Sequence, residues 1–203
     1  MDLAWFVDGL DDTFITFLKK TPDALKSYEE MIKTLKGVEL NALNGQGIPA
    51  DLLEQFDKFE AEQFALSFTL GEVKKYIAMK CPEIKEEDNA GVRVQEIVIG
   101  YINRALKGGS RGSKEDDNSD ASLSGASKME YLSSRGKIEK AKADNAEIAT
   151  YQLQLKELDR QAYQKLIFAW QNLVFHRASV YTQIKLNREK IDNPRRKEYG
   201  MSL

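Results

Sequence analysis

The chain has 203 residues, 42% apolar and 31% charged, with a formal net charge of −2 at pH 7. This composition can fill a core, and with only four prolines it fits long helices rather than disorder. The balance of charge excludes a general nucleic-acid or polyanion binder, the single cysteine excludes an intramolecular disulfide framework and fits a reducing compartment, and no signal-like start or membrane-length apolar run is present, so a soluble protein is expected.

The first segment places Phe6, Leu10, Phe14 and Phe17 at helical spacing, and Leu25, Tyr28, Ile32 and Leu35 resume the stripe after Thr21-Pro22. Thr21 as N-cap and Pro22 at the first helical position form a start signal, which predicts a kinked helix or two helices in line. Residues 41–49, with Asn44-Gly45 and Gly47, read as a chain-reversing connection. From 50 to 80, Leu52, Phe56, Phe59, Gln63, Leu66, Leu70, Val73 and Ile77 alternate steps of four and three, a heptad seam broken only by Gln63. Leu53, Phe64 and Phe68 widen that face, implying more than one helical neighbour.

Pro82 cannot donate a backbone hydrogen bond and pushes Cys81 away from helical geometry, so the helix arriving through Tyr76 and Ile77 ends there. Asp88 or Asn89 can cap a new helix, with Val94, Val98, Tyr101 and Ala105 as its apolar spacing. The result is a short, pinned connection between helices; composition alone would make it a solvated turn. The run 107–125, rich in Gly, Ser and Asp, cannot bury apolar surface and is expected to be a mobile insert. It is not a phosphate loop, because the glycine–lysine spacing is wrong and Lys114 is followed by Glu115.

A helical pattern returns over 128–143 with Met129 and Leu132 as its apolar anchors. The last segment, 150–192, carries one stripe through Leu155, Leu158, Ala162, Leu166, Ala169, Leu173, His176, Val180, Ile184 and Ile191, and a second through Ile167, Trp170, Val174 and Tyr181. Two stripes imply two sets of neighbours, one inside the subunit and one between subunits. Asn193-Pro194 stops this helix, and Arg195, Arg196 and Lys197 suit its negative end. The expected fold is all-α, four long helices in a bundle.

The residues that could carry catalysis are not arranged for it. His176 lies on an apolar stripe between Leu173 and Val180, where a hydrogen-bonded core or interface histidine is expected. A di-iron bundle needs Glu three residues before the histidine, and Leu173 stands there; a haem ligated by His176 and Met79 has no further support. Cys81 reads as a small helix-end residue, and Glu86, Glu87 and Asp88 lack calcium-loop spacing. No catalytic residue, metal or cofactor is expected, and the chain reads as a binding protein acting through its ends, loops and faces.

Three stretches carry a family resemblance. Glu87-Asp88-Asn89-Ala90-Gly91-Val92-Arg93-Val94-Gln95-Glu96, following a proline and opening a helix, closely resembles the activation loop of the eleven-S (REG-type) proteasome activators. Asn187-Arg188-Glu189-Lys190-Ile191-Asp192-Asn193-Pro194-Arg195, with Gly200-Met201 near the end, resembles that family's C-terminus, and Tyr131-Leu132-Ser133-Ser134-Arg135-Gly136 resembles a third-helix segment. The resemblance covers the chain from about residue 50 onward.

It implies a single four-helix activator subunit over 1–203 with an activation loop at 81–91, the insert at 107–125 and a tail at 193–203. Seven such subunits would form a ring that docks on the α-subunits of the 20S proteasome and opens its gate without ATP. The resemblance assigns gate opening to Glu83, Ile84, Lys85, Glu86, Glu87, Asp88, Asn89, Ala90 and Gly91, and docking to Tyr199, Gly200, Met201, Ser202 and Leu203. Many relatives end in Tyr where this chain ends in Leu203. The partners implied are the proteasome and six further copies of the chain, with no nucleic acid or membrane, in the cytoplasm and/or the nucleus. Periodicity alone favours a rival, a helical-bundle or coiled-coil adaptor or scaffold, which would be indifferent to its terminal carboxylate.

Overall fold

The computed structural model describes residues 4–81, 90–107 and 126–193. Among these are five α-helices, α1 (Ala4–Lys36), α2 (Leu52–Met79), α3 (Ala90–Lys107), α4 (Lys128–Asp144) and α5 (Thr150–Asp192), one 3-10 turn at Leu40–Ala42, and no strand. The expected all-α fold is observed. Of the four long helices expected, the third is represented by two, α3 and α4, on either side of residues 108–125, which lie outside the described residues. No described helix is long and apolar enough to cross a membrane.

The chain groups into two compact units, one whose described parts fall within Met1–Leu25, Leu66–Ser122 and Phe175–Leu203, the other within Lys26–Ala65 and Leu123–Val174. Helices α1, α2 and α5 contribute to both, α3 only to the first and α4 only to the second. Each unit is therefore built from four helical segments. The first buries Leu10, Phe14 and Phe17 of α1, Leu66, Leu70, Val73 and Ile77 of α2, Val98 and Ile102 of α3, and Val180, Ile184 and Ile191 of α5. The second buries Tyr28 and Leu35, Phe56 and Phe59, Leu155 and Leu166, with Trp170 tilted against Tyr28 at 5.3 Å and edge-on to Phe59 at 5.7 Å between ring centroids.

The heptad seam of α2 is buried at every apolar position, and only Gln63 on it is half-exposed. Phe64 and Phe68, which widen the face, remain exposed. Of the two arrangements expected at Thr21-Pro22, α1 takes the single helix, with Pro22 inside it. Thr21 is not a cap: its buried hydroxyl donates to the Phe17 carbonyl one turn back (2.6 Å) and accepts from Arg177 Nε (3.3 Å).

The anchors of α4 also differ. Met129 is exposed and Leu132 half-buried, and the buried residues are Tyr131 and Arg135. Their partner is Asp159 of α5, fully buried where the apolar stripe places Leu158, which is only half-buried. Tyr131 donates to Asp159 Oδ1 (2.7 Å), Arg135 Nη1 donates to the same oxygen and to the Tyr131 hydroxyl (3.2 Å), and Arg135 Nε reaches Glu139 (2.8 Å). Tyr131 and Arg135 both donate to Asp159 Oδ1, while Oδ2 is buried and accepts no hydrogen bond from any described residue, so the pair offsets its desolvation only in part.

The remaining arm of Arg135 fixes the 37–51 connection. Nη2 donates to the Gly45 carbonyl (3.3 Å), Gln152 to the Asn44 carbonyl and Lys156 to the Asn41 carbonyl (3.2 Å). Gly45 has φ +68°, and a Cβ there would lie 2.8 Å from the Lys156 backbone nitrogen, so only glycine allows this close approach to α5. Arg135→Ala would leave Asp159 buried without its ion-pair partner and release the connection. We expect it to cost about 3–5 kcal/mol, and Arg135→Met combined with Asp159→Leu to recover most of that loss, as read by urea denaturation.

Candidate functional site

The candidate site lies in the first unit, where α2 and α5 end and α3 begins. The segment 82–89 joins α2 to α3, and residues 194–203 follow α5. Glu83, Ile84, Lys85, Glu86, Glu87, Asp88 and Asn89, with Pro82 and the candidate caps, lie outside the described residues, as do Tyr199, Gly200, Met201, Ser202 and Leu203. Ala90 and Gly91 are the first two residues of α3. The described residues thus give the roots of the loop and the tail.

At the loop root the helical ladder closes with the Lys80 amide on the Tyr76 carbonyl (3.2 Å) and the Cys81 amide on the Ala78 carbonyl (3.2 Å), so α2 stops beside Pro82 as its chemistry dictates. Cys81 is exposed at this end. At the tail root the Asn193 amide reaches the Glu189 carbonyl (2.9 Å), and α5 stops at Asp192, as Asn193-Pro194 predicts.

α3 presents its core face through Val92, Gln95, Val98, Ile102 and Ala105, rotated from the predicted stripe, since Val94 and Tyr101 are only half-buried. Gln95, fully buried, is the residue that changes the register. Its Nε2 donates to the Lys80 carbonyl (3.1 Å) and to the Ile191 carbonyl (3.3 Å), and Oε1 accepts no hydrogen bond from any described residue. Both partners are acceptors, which fixes the orientation of the amide. The sequence reading missed Gln95; the available signal was a polar side chain one turn from both Val92 and Val98, at a core position of an otherwise apolar face.

A second set of contacts closes the same end. Phe14 of α1 stacks on Tyr76 (centroids 4.2 Å apart, 21° between planes), and the Arg188 guanidinium lies 4.7 Å from the Phe14 centroid. Arg188 Nε donates to Asp192 (2.5 Å), whose other oxygen receives the Tyr76 hydroxyl at a long 3.4 Å. Burial, a hydrogen bond to Asp11 and the nearby Asp192 carboxylate push the Tyr76 phenol well above its ordinary value of 10.0.

His176 is buried, edge-on to the Phe175 ring at 5.3 Å, and no cluster of three His, Cys, Asp or Glu among the described residues could hold a metal ion. The described residues define a class, an all-helical protein in which one buried glutamine ties two helix ends together.

Comparison with known proteins gives the family. Residues 47–201 match the model of the family "Proteasome activator PA28, C-terminal", and the chain belongs to it. It is 25% identical over 144 residues to proteasome activator 28 of Dictyostelium discoideum, an alignment covering 71% of this chain and 59% of that protein. Its fold is similar to a chain of a proteasome–11S activator complex (TM-score 0.73, 21% identity, all of both chains) and to the 11S subunit of the Plasmodium falciparum proteasome, PA28 (TM-score 0.72, 19% identity, 94% of this chain and 91% of that one).

Because the unfolded chain ionises its tyrosines near 10 and folded Tyr76 does so only above that, the stability this residue contributes is present below about pH 10 and is lost as pH rises past it. Urea midpoints measured between about pH 9 and 11 should fall in wild type and fall less in Tyr76→Phe. Equal slopes would contradict the assignment.

Proposed function

We propose that the chain is a subunit of a homo-heptameric, ATP-independent activator of the 20S proteasome, with no catalytic step of its own, acting in the cytoplasm, the nucleus or both. Residues 199–203 dock in the proteasome α-ring, and residues 83–91 open its gate. The observation that carries this reading is the family match over 47–201, which takes in the whole loop and the tail as far as Met201.

The surface supports assembly. On α5, Phe168, Phe175 and Leu186 are 66%, 59% and 74% exposed, and their spacings of seven and eleven residues, two and three turns, place them on one face. Phe64 and Phe68 of α2 are exposed one turn apart. Apolar rows of this kind mark interaction surfaces, and two different rows on one chain suit a head-to-tail contact that closes into a ring. We expect the pair Phe168→Ser and Phe175→Ser to yield monomers by native mass spectrometry, while circular dichroism still shows a helical chain.

In such a ring each tail can be weak. A site contributing about 4 kcal/mol is of roughly millimolar affinity, yet once one tail has docked the others bind at high effective concentration. The test is fluorogenic peptide hydrolysis by purified 20S proteasome, with co-sedimentation on the same samples. Wild type should stimulate hydrolysis, deletion of 200–203 should abolish binding with the ring intact, and Asn89→Tyr should leave binding nearly unchanged while removing stimulation. Binding that survives the deletion would instead favour the adaptor reading, which has no use for the terminal carboxylate.

A further inference from the structure

We propose that Gln95 is a positioning residue that couples the root of the tail to the root of the loop, so that a load on one helix end is felt at the other. The inference rests on the proposed function for its consequence, but its physical half stands on the structure alone.

A helix leaves its last carbonyls without intrahelical partners, and the Lys80 and Ile191 carbonyls are such groups, one residue past the end of α2 and one before the end of α5. One side-chain amide supplies both. The two Nε2 hydrogens are shared between Lys80 and Ile191, so the donor half of Gln95 is fully used, and its position is set by two backbones at once. The side chain is 0% exposed and its bond to the Ile191 carbonyl is buried, so removing the amide leaves at least that carbonyl without a partner. Lys80 is two residues before Pro82, and Ile191 is three before Pro194. Tail and loop therefore leave from backbone positions that share one hydrogen-bonding group, while α3, which carries that group, starts at the far end of the loop. When the tail is docked, the end of α5 cannot fray without disturbing the bond that fixes the end of α2.

The test separates coupling from stability. Gln95→Met keeps the volume and removes both donors; Gln95→Glu keeps the shape and turns an acceptor toward the two carbonyls. Lys190→Gly is the perturbation, an exposed position near the end of α5 where glycine frays the last turn through the backbone. Hydrogen exchange of the full chain is followed in the peptide containing 77–81. Lys190→Gly should raise exchange there several-fold in the wild-type background and leave it unchanged when added to Gln95→Met. An equal increment in both backgrounds would overturn the proposal.

The functional half is read with purified 20S proteasome. Gln95→Met and Gln95→Glu should form the same ring and co-sediment within about twofold of wild type, under 0.5 kcal/mol, yet stimulate peptide hydrolysis several-fold less at saturation. Coupled exchange with undiminished stimulation would overturn this half. A wild-type chain that stimulates no proteasome would overturn the proposed function, while the exchange result still decides whether Gln95 couples the two ends.

Discussion

Every helix must dispose of the carbonyls it leaves unpaired at its C-terminus, and the end of the first unit where α2 and α5 stop is organised around how that is done. Glycine caps or water are the usual answers where a helix ends at the surface. Here a buried glutamine on a third helix serves both ends, donating to the Lys80 and Ile191 carbonyls. This costs the burial of an amide whose oxygen finds no partner among the described residues, a deficit of the order of 1–3 kcal/mol. An apolar side chain would avoid that cost and leave the buried Ile191 carbonyl without its partner instead. The glutamine also adds a fixed geometry between two chain segments that sequence alone does not bring together.

The second unit solves a similar problem by charge. Arg135 and Asp159 are 1% and 0% exposed, and their attraction must offset desolvation of both. What distinguishes the arrangement from a hydrophobic replacement is direction. A leucine pair would fill the space, but it would not hold the Gly45 carbonyl, and the connection between α1 and α2 would lose the arm that sets it against α5. Tyr163, whose hydroxyl donates to Asp51 at 2.5 Å, anchors the other side of the same connection. Polar core residues in both units do the same task, fixing irregular backbone that apolar packing cannot address.

This is also where the sequence was hardest to read. The seam of α2 and the main stripe of α5 were legible because burial there is apolar and periodic, and nearly every residue named on them is buried. The α4 anchors were misplaced because Tyr131 and Arg135 look like surface residues until Asp159, on another helix, is seen to match them. Thr21-Pro22 has the grammar of a helix start, yet α1 runs through it, with the Thr21 hydroxyl bonded to the Phe17 carbonyl and to Arg177 rather than capping. The α3 stripe through Val94 and Tyr101 is rotated from the buried face, which includes the polar Gln95 beside Val92, Val98 and Ile102. In each case a polar side chain was partnered by something distant in sequence, which periodicity does not report. The loop and tail expectations rest on family resemblance and fall on residues outside the described ones, and the structure adds the helix ends at their roots.

Those roots bear on how a weak tail and a short loop act together under the proposed function. A ligand shifts a two-state equilibrium only by the difference in its affinity for the two states, so tails that hold a closed and an open gate equally well contribute affinity and no opening. Opening must come from a group whose contact exists in one state only, and the free energy of that contact is reduced by whatever entropy is lost in ordering the group. A loop whose first residue follows a backbone position already fixed by Gln95, and whose last leads into the helix carrying Gln95, has less freedom left to lose. The tail benefits in a different currency: a root held at Ile191 narrows the volume it searches and so raises the effective concentration of each successive tail once the first has docked. Under the proposed function one buried amide would serve both tasks, without touching either partner.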